Sequence, residues 1–116
     1  MLFVALIGFS ACNKDKEKTC NLETENISPD NMPVIFVATQ TGDGVISSLT
    51  YEISGNSNTV VNPGLPWTIT EDAVAGTNVR IIATGKTTNG SLTISFHGQT
   101  NNSTVSGSDF CSDNND

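Results

Sequence analysis

From Pro33 onward the chain alternates apolar and polar residues with a period of two, and turn-forming residues interrupt the alternation every few positions. Leu49, Tyr51 and Ile53, for example, are each separated by one polar residue. Successive side chains of a β-strand point to opposite faces, so this spacing is typical of half-buried strands. The intervening Gly, Asn, Asp and Pro residues favour turns. No helical period occurs in this region, and the pattern therefore predicts an all-β domain.

The alternation predicts about seven short strands: residues 34–39, 45–54, 59–61, 67–70, 79–84, one centred on Leu92, Ile94 and Phe96, and a last one at 103–105. Many short strands with polar turns are typical of a small antiparallel, immunoglobulin-like β-sandwich. Asn89-Gly90 is the strongest hairpin signal. The expected core residues are Val34, Phe36, Leu49, Tyr51, Ile53, Trp67, Ile69, Val79, Ile81, Leu92, Ile94 and Phe96.

The N-terminal residues resemble a bacterial lipoprotein signal peptide. The apolar run at 2–11 is shorter than the roughly 20 residues that cross a bilayer, but it has the length of a secretory apolar segment. It ends in Ser10-Ala11-Cys12, which matches the last positions of a lipobox, although Phe9 replaces the usual aliphatic residue and no Lys or Arg precedes the run. The sequence predicts removal of residues 1–11, lipidation of Cys12 and an extracytoplasmic, membrane-anchored protein in the bacterial cell envelope. The alternative is a buried N-terminal strand with Cys12 as a core thiol.

Charged and polar residues dominate positions 12–32, which predicts a tether between the lipidated Cys12 and the domain. The alternating charges at 14–18 resemble the stretch that follows the cysteine in surface-exported lipoproteins of Bacteroidetes. The expected organisation is signal peptide 1–11, tether 12–32, sandwich 33–107 and a loose tail 108–116. Because many of the acidic residues then lie outside the sandwich, the folded part is predicted to be nearly neutral.

Cys20 and Cys111 lie on opposite flanks of the apolar region. In an oxidising compartment they would most simply form a disulfide, and its loop of about 90 residues would stabilise the fold by roughly 4–5 kcal/mol. The alternatives are two free thiols or a different partner for Cys111. A metal site is a poor interpretation of the three cysteines, because the chain has one His and no Cys-x-x-Cys spacing.

Composition and residue placement argue against most kinds of chemistry. The formal charge of −7 argues against nucleic-acid binding, because contacts to phosphates require clustered Lys and Arg. His97 is the only candidate general base, and the alternation points it outward with no triad partner placed by the sequence. The pattern predicts no catalytic residues, no metal, no cofactor and no enzymatic activity.

Four other residues have a structural interpretation beside a functional one. Asp43 lies in a Thr-Gly-Asp-Gly turn that lacks the alternating acidic ligands of a calcium loop. Glu71 and Asp72 are adjacent, so they diverge across a strand or lie in the following turn. Trp67 could stack against a ligand, but Ile69 on the same face favours packing in the core.

Four segments together resemble the extracytoplasmic domain of the mycobacterial membrane protein small (MmpS) family: Leu49-Thr-Tyr-Glu-Ile-Ser-Gly55, Leu65-Pro-Trp67, Gly76-Thr-Asn-Val-Arg-Ile-Ile-Ala83 and Gly90-Ser-Leu-Thr-Ile-Ser-Phe96. The resemblance covers about residues 34–105. It implies an immunoglobulin-like sandwich that acts as an accessory partner of RND-type lipid or siderophore exporters and is not an enzyme. This chain departs from the family by using a lipobox Cys where the family has a transmembrane helix.

The expected function is therefore that of a membrane-anchored, non-enzymatic adaptor to an envelope transporter, with another envelope protein as its partner. The alternative is a surface module that binds a glycan or a lipophilic ligand through its loops or an exposed sheet face.

Overall fold

The computed structural model describes residues 17–113, which form eight β-strands. The strands are β1 (Lys18–Ile27), β2 (Met32–Thr41), β3 (Val45–Ile53), β4 (Asn56–Val61), β5 (Trp67–Ala73), β6 (Asn78–Thr87), β7 (Gly90–Gln99) and β8 (Thr104–Asp113). Within these residues, no helix is long and apolar enough to cross a bilayer.

The strands form two packed four-stranded antiparallel sheets, which confirms the predicted β-sandwich. Sheet I has the order β1-β6-β3-β4 and sheet II the order β5-β2-β7-β8. The β2–β5 and β3–β6 pairs have the same sequence order as central pairs of immunoglobulin domains. In those domains the first strand pairs with the second and the seventh with the sixth, whereas here β1 pairs with β6 and β7 with β2. The chain thus shares the two-sheet architecture of immunoglobulin domains, but β1 and β7 have different neighbours.

The core lies between the sheets and is centred on Phe36, whose ring centroid is 5.2 Å from that of Tyr51 and 6.0 Å from that of Phe96. All the predicted core residues are buried except Trp67 and Ile69, which point inward but remain half-buried against the core. The buried set also includes Cys20, Leu22, Met32, Ala38, Ile46, Ala73, Ala83 and Val105.

The prediction was wrong at both ends of the domain. Residues 18–27, expected in the tether, form β1, and residues 108–113, expected in a loose tail, belong to β8. Both are edge strands whose inner faces cover little of the core, so few apolar residues mark them in the sequence. In β1 the inward positions that are fully buried are Cys20 and Leu22, and the outward positions are polar apart from Ile27 at the end of the strand. Residues 1–11 and Cys12 lie outside the described residues.

The domain is also more acidic than predicted. Several carboxylates expected outside the fold lie on it, among them Glu23, Glu25, Asp30 and Asp109. They are accommodated because they occupy outward or edge positions, where charged side chains stay hydrated.

Asn89-Gly90 does not form the predicted hairpin. It lies at the turn between β6 and β7, and these strands belong to different sheets. Consecutive strands pair at two places, through Ser54 and Gly55 between β3 and β4 and through residues 100–103 between β7 and β8. Ser54 and Gly55 both have positive φ angles, 53° and 82°, as a two-residue hairpin turn requires.

One long side of the sandwich is closed by a seam between β1 and β8. The Cys20–Cys111 disulfide crosses it, which confirms the predicted pairing. The Glu23 N–H donates to Asp109 Oδ2 at 3.0 Å, and Asn26 Nδ2 donates to the Ser106 carbonyl at 3.3 Å.

Close approach at this seam requires a glycine. A Cβ atom on Gly107 would clash with Thr24 Oγ1 and would lie 2.9 Å from two carbons of the Phe96 ring. The opposite long side, between β4 and β5, has no pairing between its two strands.

The strand directions give the sandwich two distinct ends. Lys18 pairs with Thr87 and Asp113 with Gly90, so β1 begins and β8 ends at the same end, which we call the proximal end. The turns at 42–44 and 88–89 also lie there. The opposite, distal end carries loops 28–31, 54–55, 74–77 and 100–103.

Candidate binding surfaces

His97 lies on the outer face of sheet II and is exposed. Its cross-strand neighbours are Ile35 and Ser106, and its ring Nε2 is 3.4 Å from Gln99 Oε1. The outward position predicted from the alternation is confirmed. Within residues 17–113, no three His, Cys, Asp or Glu side chains are grouped so that they could hold a metal ion.

Asp43 joins the two proximal turns. Its Oδ1 accepts hydrogen bonds from Thr87 Oγ1 at 2.8 Å and from the N–H groups of Thr88 and Asn89, both at 3.0 Å. These bonds lower the pKa of Asp43 below its ordinary value of 3.8, the largest contribution coming from the Asn89 N–H, then from Thr88 and Thr87. The Asp43 carboxylate therefore stabilises the turns through hydrogen bonds, in agreement with the turn role expected from the sequence.

Replacement of Asp43 by alanine is expected to lower the melting temperature at pH 7 by several degrees, because buried Thr87 and two turn amides lose their acceptor. A carboxyl group whose pKa falls on folding stabilises the fold above its unfolded pKa, and this stabilisation is lost as the pH falls through the folded pKa. The difference from wild type should therefore shrink below about pH 3.8. Thermal melts from pH 7 to pH 2 measure it. Asp43→Asn keeps an acceptor oxygen, so its melting temperature at pH 7 should fall less than that of Asp43→Ala. An equal fall in the two variants would contradict the role of Asp43 as the acceptor in these turns.

The other candidate residues either point in different directions or pack against core residues. Glu71 and Asp72 both lie on β5, where Glu71 is half-buried opposite Val34 and Asp72 is exposed opposite Pro33, so their side chains diverge. The Trp67 ring packs against Tyr51 with a centroid distance of 5.6 Å. These positions do not come together in one site.

The distal loops are cross-linked by hydrogen bonds, and we call residues 28–31, 54–55, 74–77 and 100–103 the distal loop cluster. Asp30 Oδ2 accepts from Ser103 Oγ at 2.8 Å, and Asn31 Oδ1 accepts from the Ala75 N–H at 2.8 Å. Ser54 Oγ accepts from the Val74 N–H at 3.1 Å. All four loops are thus tied to one another or to the adjacent strand ends, and the surface they form is preorganised.

The outer faces of the two sheets differ in charge. On sheet I, the Arg80 guanidinium lies 2.7 Å from the Glu23 carboxylate and 3.6 Å from the Glu52 carboxylate, and the hydrogen bond that Arg80 donates to Glu23 raises the pKa of Arg80. Lys86 lies 3.6 Å from Glu17 on the same sheet. The outer face of sheet I is therefore a charged surface.

Among the described residues, the outer face of sheet II carries the imidazole of His97 and, at its rim, the carboxylate of Asp72, and its other side chains are uncharged. We call it the hydroxyl face, because its outward positions include Thr39, Thr68, Thr70, Thr93, Ser95, Ser106 and Ser108. Ile35 is 46% exposed on it and Phe110 is 67% exposed. This face offers hydroxyl groups and scattered apolar contacts.

The edge formed by β4, Asn56–Val61, is the third candidate surface. In the described part of the chain β4 pairs with β3 alone. A concavity of about 380 Å³ adjoins its first residues, Asn56 and Ser57, and one of about 330 Å³ adjoins Asn62, immediately after its last residue. The alternation predicted a strand at 59–61 but not its place at an edge, because edge position depends on the pairing of distant strands.

Comparisons of this chain with models of protein families, with curated proteins and with solved structures find no match.

Proposed function

We propose that this protein is a non-enzymatic lipoprotein of the bacterial cell envelope, anchored to a membrane by lipid on Cys12, that acts as an adaptor to another envelope protein. The observation that supports this most strongly is the separation of the two ends of the sandwich. The chain reaches the domain at the proximal end, and the preorganised distal loop cluster lies at the other. The resemblance to the MmpS family suggests an RND-type transporter as the partner.

The length of the spacer adds to this proposal. Residues 13–17 alone separate Cys12 from Lys18, where β1 begins. An extended chain spans at most about 3.5 Å per residue, so the proximal end would lie within about 20 Å of the lipidated residue. A spacer this short would hold the proximal end towards the membrane and direct the distal loop cluster away from it. Acylation at two positions would give a stable anchor, which a single chain does not.

Cell fractionation followed by mild cross-linking and purification from solubilised membranes tests this function. The wild-type protein should sediment with membranes and retain one envelope protein reproducibly. Cys12→Ser should move the protein to the soluble fraction and lose that partner, whereas Asn13→Ser, which keeps the thiol, should behave like the wild type. Repeated recovery of the wild-type chain alone would contradict the adaptor role, and membrane retention of Cys12→Ser would contradict the anchor.

The hydroxyl face favours a second candidate function, the binding of a glycan or a lipophilic ligand. Exposed Phe110 and Ile35 among threonine and serine hydroxyls provide apolar contacts beside hydrogen-bonding groups. Binding on a glycan array or a lipid overlay that is lost on Phe110→Ala would favour this function. Binding that persists in Phe110→Ala would exclude the hydroxyl face as its site.

A further inference from the structure

We propose that the β4 edge binds an extended segment of the partner protein as an added antiparallel strand, and that this segment carries apolar residues at alternate positions and a Lys or Arg near its C-terminal end. The inference rests on the adaptor function proposed above and names the surface and the chemistry of the partner. It depends on the edges of the sandwich, the backbone groups of β4 and the charges around it.

The other strand edges are covered or protected. β1 and β8 close on one another through the disulfide and the cross-seam hydrogen bonds. β5 carries Glu71 and Asp72, and charged side chains on an edge strand discourage pairing with another chain. β4 has the sequence Asn-Ser-Asn-Thr-Val-Val and contains neither a charged residue nor a proline. It is the edge most open to strand addition in the described part of the protein.

The backbone of β4 has the register that an added strand needs. In the β3–β4 hairpin, Ile53 and Asn56 flank a two-residue turn and form a hydrogen-bonded pair. Hydrogen-bonded and non-hydrogen-bonded pairs alternate along an antiparallel ladder. The N–H and C=O groups of Ser57, Thr59 and Val61 therefore point away from β3, towards the side where an incoming strand would pair.

Incompletely covered apolar residues lie on the same side of the sandwich. Val60, Leu65, Trp67 and Ile69 pack against the core while remaining half-buried, and all four belong to β4, β5 or the loop between them. Residues of an added strand opposite Asn58 and Val60 would point towards this opening, because directly opposed residues share a face. Apolar side chains at these positions would complete the cover of the core.

Charge favours a basic occupant. Glu52 lies beside Ser57 on the outer face, and its carboxylate is 3.6 Å from Arg80 with 34% of the side chain exposed. Ser57 is small, so a Lys or Arg placed opposite it in an antiparallel strand can reach across to Glu52. The formal charge of −7 acts in the same direction at longer range.

A second copy of this chain fits the edge less well. Two copies would each bring a formal charge of −7. Antiparallel pairing of β4 with its own copy would also invert one domain and place the two Cys12 ends on opposite sides of the pair. Two copies anchored to one membrane through short spacers could not adopt that arrangement. We therefore assign the edge to a partner segment.

Peptide titration of the full chain in detergent, followed by NMR, tests this inference. The probe is acetyl-Thr-Val-Val-Thr-Val-Lys-Thr-amide, in which Lys falls opposite Ser57. We expect it to shift the amide resonances of Ser57, Thr59 and Val61 and to slow their hydrogen exchange. Replacing Lys by Glu in the probe should weaken binding by about fivefold, the size of an exposed ion pair. Equal affinity of the two probes would overturn the basic character of the occupant.

Two protein variants distinguish the contribution of the β4 backbone to probe binding from that of its side chains. Thr59→Pro removes an outward N–H and should weaken binding by at least about tenfold, because proline cannot donate to a ladder. Thr59→Val keeps that N–H and should bind like the wild type. If Thr59→Pro does not fold, a probe N-methylated on the amides that face β4 provides the same test and should not bind wild type.

Three other outcomes would overturn the inference. They are retained binding of the N-methylated probe, resonance shifts confined to the hydroxyl face or the distal loop cluster, and concentration-dependent protection of the β4 amides without any probe, which would identify a second copy as the occupant. This experiment needs neither a membrane nor a lipid. A failure of the probe to bind would therefore not contradict the Cys12 anchor. A soluble wild-type protein in the fractionation would contradict the anchor but not strand addition at the β4 edge.

Discussion

Replacement of both Cys20 and Cys111 by alanine is expected to lower the free energy of unfolding by about 4–5 kcal/mol, the largest effect of any change considered for this domain. The two cysteines are separated by 91 residues, so their bond restricts nearly the whole described chain in the unfolded state. The loss corresponds to a fall in melting temperature of about 15–30 °C for a domain of this size. Thermal and denaturant unfolding of the purified variant measure it.

The seam explains why the structure depends on this bond. β1 pairs with a single neighbour in its sheet, β6, and is otherwise held against β8 by side-chain hydrogen bonds and the disulfide. Reduction of the wild-type protein should give the same loss as the double replacement. Cys12→Ala should leave the melting temperature unchanged, and a large fall in that variant would show that the cysteines pair differently in solution.

Replacement of Phe36 by alanine is expected to lower the free energy of unfolding by about 3–5 kcal/mol, the cost of deleting a fully buried aromatic side chain. Phe36 has no exposed surface, and its ring contacts those of Tyr51 and Phe96, which come from the two different sheets. The cavity would therefore separate the sheets at their centre. Chemical denaturation with urea measures the change.

Phe110→Ala provides the matched control, since Phe110 is the same residue type on the outer face and is largely exposed. Its free energy of unfolding should stay within about 0.5 kcal/mol of the wild type. Equal losses in the two variants would contradict the assignment of Phe36 to the centre of the core.

The fold class could be predicted because the central strands carry strong alternation. Leu49, Leu92 and Ile94 are fully buried and each lies between two polar residues, a pattern that is visible from one strand alone. β1 lacks it, because an edge strand with Cys20 and Leu22 as its fully buried residues resembles a polar linker in sequence. β1 could be recognised only through its long ladder with β6, a contact between distant parts of the chain.

The candidate surfaces also divide into features that a local sequence pattern predicts and features that depend on contacts between distant strands. The outward position of His97, the turn role of Asp43 and the disulfide pairing follow from local pattern and cysteine count, and the structure confirms them. The Asn89-Gly90 prediction was wrong, because turn residues report a change of direction and not which sheet the next strand joins. The β4 edge and the distal loop cluster arise from strand order, which no local pattern specifies.

The correction at β1 changes how the proposed anchor would work. A tether of residues 12–32 would allow the domain to lie far from the membrane, whereas a spacer of residues 13–17 would keep its proximal end within about 20 Å of the lipidated residue. In the proposed adaptor, this distance would limit the height at which the distal loop cluster and the β4 edge could meet a membrane-embedded partner.

Intact-mass measurement of the protein extracted from bacterial membranes tests the central claim, lipid anchoring of a disulfide-closed domain, most directly. The account predicts a species that begins at Cys12, carries the added mass of acyl chains and lacks two hydrogens because Cys20 and Cys111 are bonded. An unacylated chain that still contains residues 1–11 would contradict it.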